Sequence, residues 1–120
     1  MSFCTYLASD ALLAESGLLW RLSRGAEDIY TDKRFTAQID PGLTELSAVL
    51  DYIQKQVKTS GELEIWHIWQ GIESTPLIRS RRISVEALTV EDLLKLQRED
   101  VFAGATRFDI PIQYRIVVTK

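Results

Sequence analysis

Glu64-Ile65-Trp66-His67-Ile68-Trp69-Gln70-Gly71 holds two of the three tryptophans and the only histidine of the 120-residue chain. The stretch is rich in bulky apolar residues and bounded by glycine, which suits a strand. Successive strand side chains point to opposite faces, so Leu63, Ile65, His67 and Trp69 share one face, while Glu64, Trp66, Ile68 and Gln70 share the other. The tryptophans are therefore divided, and both faces carry apolar bulk. A sheet with helices on one side leaves its other face open to water and polar. This strand needs a cover on each side. Three covers suit it: the segment Asp10 to Ile39 folded over the open face, a second subunit, or an apolar ligand in a pocket.

Working outward, the clearest helix begins at Asp40-Pro41-Gly42, with Asp40 as the cap and Pro41 in the first turn. Leu43, Leu46, Val49, Leu50, Ile53 and Val57 follow three-and-four spacing, and Thr59-Ser60-Gly61 ends the helix. A second helix starts after Thr89, which is placed to cap it. Glu91 and Asp92 favour the positive end of its dipole, and Leu88 and Leu93 have the spacing of a hydrophobic staple. The C-terminal segment alternates Phe108, Ile110, Ile112, Tyr114, Ile116 and Val118 against Asp109, Pro111, Gln113, Arg115 and Thr119, the pattern of a strand buried on one side. Pro111 lacks a backbone donor, which puts its end of that strand at a sheet edge.

Phe3 to Ala8 reads as a further strand, and Ile78 to Ala87 as the antiparallel partner of the opening stretch across the connection Gly71 to Leu77. Asp10 to Ile39 is an insertion in which Leu18 to Leu22 and Phe35 to Ile39 suit short strands; Trp20 falls in the first of these as core filling. Without the insertion the order is strand, helix, strand, strand, helix, strand. The expected fold is thus α+β, a ferredoxin-like split sandwich with an insertion between the first strand and the first helix.

The composition, 46% hydrophobic and 26% charged, fits one soluble globular domain spanning residues 1–120. The net charge of −3 gives no pull toward phosphate backbones or anionic lipid, so nucleic acid and membrane are disfavoured as partners. No apolar run approaches the roughly 20 residues of a membrane-spanning helix. No secretion signal opens the chain, and Cys4 has no second cysteine to pair with, so a cytoplasmic setting is expected.

No catalytic or nucleotide motif is present, and no cofactor is called for. A metal site would need carboxylates to supplement one histidine and one cysteine, with no ligand pair at helix or hairpin spacing. The split arrangement inserts a strand between Cys4 and His67, separating them by about 10 Å and excluding a Cys/His nucleophile. Cys4 then reads as a small buried apolar side chain, and Glu62 and Glu64 as solvated surface residues. In the basic run Arg79-Ser80-Arg81-Arg82, Arg79 and Arg81 fall on one strand face, where they suit a bidentate grip on carboxylate or phosphate; alternatively the arginines of the run pair with Glu62 and Glu64 on the adjacent strand.

The leading expectation is a non-enzymatic binding or protein-interaction module, a regulatory or immunity-type partner. It would self-associate as a dimer or engage a protein through the face of Trp66 and Ile68 or through the hairpin. The rival is a small-molecule-binding protein or enzyme with a pocket beside His67, with Trp69 and Arg81 as contacts. The candidate binding residues are accordingly Trp66, His67, Trp69, Arg79 and Arg81, with no catalytic or metal-ligating set.

Overall fold

A computed structural model describes residues 3–24, 29–39, 45–69, 76–99 and 112–120. The fold is mixed α+β. Its elements in chain order are β1 (Phe3–Ser9), β2 (Leu19–Arg24), β3 (Phe35–Ile39), α1 (Leu46–Ser60), β4 (Leu63–Trp69), β5 (Leu77–Ser84), α2 (Val90–Gln97) and β6 (Ile112–Thr119). The expected Asp40-Pro41 helix start, the Gly71 to Thr75 connection and Phe108 to Pro111 lie outside the described residues.

The six strands form one sheet in the order β2-β3-β1-β4-β6-β5. This corrects the ferredoxin-like arrangement, in which β1 and β4 would be parallel and held apart by β5. Here β1 and β4 pair directly and antiparallel, with Cys4 opposite Ile68 and Thr5 opposite His67. The expected β4–β5 hairpin is replaced as well: β6 pairs antiparallel with β4 and parallel with β5. The physical reason is burial. An interior strand is covered on both faces, and β6 tolerates this because Arg115 is its only charged residue. β5 carries Arg79, Arg81 and Arg82 and goes to the outside. The insertion supplies β2 and β3, which extend the sheet beyond β1.

One face of the sheet packs beneath the helices. Leu46, Val49, Ile53 and Val57 of α1 and Leu93 and Leu96 of α2 join Leu7, Leu63, Ile65, Tyr114, Ile116 and Val118 in the main core. The α1 periodicity thus delivers the stripe expected from sequence. Gln56 is buried too, its amide donating to the Leu12 carbonyl and its oxygen accepting from the Ala14 N–H, which ties the β1–β2 connection to the helix. After α1 the chain turns at Gly61, whose φ of 91° and ψ of −153° lie in a region open essentially to glycine alone. α2 starts with a reciprocal capping box: Thr89 Oγ1 accepts from the Asp92 N–H, and the Asp92 carboxylate accepts from the Thr89 N–H. Leu88 and Leu93 flank it, both buried.

The other face carries a smaller cluster, Cys4, Tyr6, Ala8, Trp66 and Ile68, closed by Ile29. Residues 29–34 lie across this face. The Tyr30 N–H donates to Gln113, Thr31 donates to Glu64, and Lys33 bridges Asp10 and Glu62. Of the three covers that suited β4, the insertion therefore supplies the one seen over Trp66 and Ile68.

Candidate functional site

The five candidate residues separate into three environments. Trp66 and His67 are enclosed in the centre of the sheet, Arg79 and Arg81 line a groove at its edge, and Trp69 ends β4 with its backbone paired to Phe3. The side chain of Trp69 lies outside the described residues.

Trp66 is wholly buried, so its face offers no apolar surface to a partner at that position. Its indole N–H donates to Glu64 at 3.0 Å, and the Arg115 guanidinium stacks 5.3 Å from its ring centroid. Glu64, expected at the surface, is 3% exposed. Thr31 and Trp66 donate to one of its oxygens, and Arg115 reaches the other at 3.5 Å while donating to Ser80. Burying a carboxylate costs several kcal/mol unless it is paired and hydrogen-bonded, and this one is both. The arrangement is a structural lock between the 29–34 segment and the sheet, with its acceptors already engaged. The sequence did carry a trace of it: Glu64 sits inside a run that is apolar on both faces.

His67 lies on the helix side of β4, between Thr5 and Tyr114, and is 3% exposed. Its Nε2 is 3.2 Å from the Glu99 carbonyl oxygen, which only accepts, so Nε2 carries the proton. Burial pulls the imidazole below its ordinary pKa of 6.5, with the Glu99 carbonyl opposing in part. A neutral imidazole held in this way fits a packed position. His67 lines neither the groove at the β5 edge nor the hollow beside α1. Cys4 sits on the neighbouring strand, closer than the split topology implied, but it projects to the opposite face, where Gln38 donates to its sulfur. Opposite faces, rather than an intervening strand, keep the pair apart.

The edge groove has a different character. It encloses about 370 Å³ between β5, β6 and α2 and is lined by Arg79, Arg81, Lys95, Leu96, Tyr114 and Ile116, with Ser80, Asp92, Glu99 and Arg115 completing it. Four cationic residues meet two carboxylates there, within a chain whose net charge is −3. Arg81 is committed to Asp92 at 2.8 Å. Burial alone would raise the Asp92 carboxyl, but the hydrogen bonds from Arg81 and Thr89 prevail and hold it below its usual range. Arg82, on the opposite face, reaches Glu62 at 3.1 Å, as one reading of the sequence expected; Glu64 takes Arg115 instead. Arg79 and Lys95 make no ion pair among the described residues and are exposed. Lys95 was not singled out from sequence, because its position over β5 depends on how α2 crosses the sheet.

A second hollow lies between α1 and the β1–β2 connection, lined by Leu12, Ala14, Leu18, Tyr52 and Gln56. The Tyr52 hydroxyl donates to the Ala14 carbonyl at 2.6 Å, and burial raises it to about 12. Among the described residues no group of three or more His, Cys, Asp or Glu side chains is arranged to hold a metal ion, and no helix is long and apolar enough to cross a membrane. No family model, curated protein or solved structure matches this chain.

Proposed function

We propose that this chain is a small, non-enzymatic protein-interaction module, regulatory or immunity-type in its action and cytoplasmic in its setting, and that its contact surface is the β5 edge with the adjoining groove. The observation that carries this reading is the exposure of β5. It is an eight-residue strand at the sheet margin with exposed side chains at every position except Ile83, including Leu77 at 53% and Ile78 at 40%. An edge strand presents unpaired backbone donors and acceptors and is a ready template for another chain. The Trp66 face and the His67 position, by contrast, are packed.

The pocket reading beside His67 draws less support, since the ring is buried, neutral at physiological pH and already bonded to the Glu99 carbonyl. The test is a photo-crosslinking residue at Ile78, compared with one at Lys58 on the exposed side of α1, in the native host, with the adducts identified by mass. A discrete adduct from position 78 alone supports the interaction reading. No adduct from position 78 overturns it.

A further inference from the structure

Among the described residues β5 is the terminal strand of the sheet, bonded to β6 on one side. A chain added along its other side would meet side chains alternately on two faces. On the helix face it would meet Leu77, Arg79 and Arg81 in succession, with Lys95 of α2 overhanging the same groove. On the other face it would meet Ile78, Ser80 and Arg82. Directly opposed residues on paired strands have Cβ atoms about 5 Å apart, so charge opposite Arg79 and Arg82 decides what can pair there.

That charge pattern discriminates between occupants. A second copy of this chain, adding its own β5, would bring Arg79, Arg81 and Arg82 of both chains together and repel itself. A partner segment with carboxylates at alternate positions would find Arg79 and Lys95 free of ion pairs among the described residues and available for charge-assisted hydrogen bonds. The exposed Leu77 and Ile78 would cover apolar side chains at one end of the same segment.

We propose that β5 accepts an extended acidic segment of a partner protein as a seventh strand, its carboxylates seated on Arg79 and Lys95 in the groove beside α2. This inference rests on the interaction reading above and specifies the chemistry of the partner. An incoming strand of this kind gains backbone hydrogen bonds regardless of sequence, and the arginines select acidic over basic or neutral chains.

The test uses the full chain and a fluorescent peptide alternating Glu and Val over eight residues, a pattern unchanged by the direction in which it docks. Anisotropy titrations compare it with the Lys-Val counterpart, with the Glu-Val peptide N-methylated along its backbone, and with an oligothymidylate. Binding of the Glu-Val peptide alone supports the proposal, together with a loss of about tenfold in the Arg79→Glu/Lys95→Glu variant and none in Lys58→Glu. Equal binding of the Glu and Lys peptides, unchanged binding after N-methylation, or preference for the oligothymidylate overturns it. A sedimentation series showing a dimer whose β5 amides are protected from exchange overturns it in favour of self-pairing. If the crosslinker at position 78 captures a partner but the Glu-Val peptide does not bind, the acidic-strand inference fails and the interaction reading stands; if neither occurs, both fail.

Discussion

β4 and β5 are strands of seven and eight residues, neighbours in sequence and separated in the sheet only by β6, yet their surroundings are opposite. β4 is enclosed on both faces, and even its glutamate and histidine are about 3% exposed. β5 exposes nearly everything it carries. The difference is one of position: a strand paired on both sides and sandwiched between layers must satisfy every polar group internally, whereas an edge strand can leave its charges in water. Polar side chains on β4 are therefore tied into the fold, whereas on β5 Arg81 and Arg82 hold exposed ion pairs and Arg79 has none among the described residues.

The largest effect that would test this contrast is expected at Trp66. Trp66→Ala should lower stability by roughly 3–5 kcal/mol, the cost of a large cavity in a closed core, read by denaturant unfolding. A loss below about 1 kcal/mol would mean that the 29–34 segment does not cover the ring in solution. Glu64→Ala should cost roughly 1–3 kcal/mol, because it strips the Trp66 and Thr31 donors of their acceptor and removes the carboxylate that Arg115 reaches. Faster amide exchange at residues 29–34 in that variant would locate the loss at the lock.

His67 sharpens the comparison through pH. Its pKa is lower in the folded chain than in the unfolded one, so the unfolded chain takes up the proton first as pH falls. The stability tied to its neutral form is complete above the ordinary value of 6.5 and is lost as pH falls from there through the folded pKa. Unfolding midpoints measured from pH 7.5 downward should decline in this window for the parent and stay flatter for His67→Gln. Smallest of all should be the β5 changes. Arg81→Ala removes an exposed ion pair with Asp92 and should cost roughly 0.2–1 kcal/mol, less at high salt. Arg79→Glu should leave stability within about 0.5 kcal/mol of the parent and, on the acidic-strand proposal, weaken binding of the Glu-Val peptide.

Much of this was legible locally. Thr89 and Asp92 announced the start of α2, the leucine and valine spacing announced α1, and the alternation in β4 announced a strand buried twice over. The second face of β6 was not legible. Gln113 and Arg115 look like an outward polar row, but Gln113 accepts from Tyr30 and Arg115 lies over Trp66, partners 83 and 49 positions away in sequence. Glu64 was misread in the same way, since the segment that buries it begins 35 residues upstream. In the candidate site, Arg79 and Arg81 were recognised as a pair on one face, but the groove they line needs α2 and Lys95 beside them.

By itself the sequence determined the helix or strand character of the described elements, though not every boundary, and that β4 needs a cover on each side, because periodicity and capping act over a few residues. Only the tertiary structure decided the strand order and which segment provides the second cover. Backbone pairing is nearly indifferent to partner, so the choice among strands falls to the burial each can bear: β6, with its single charged residue, was drawn inside, and the arginines kept β5 at the edge.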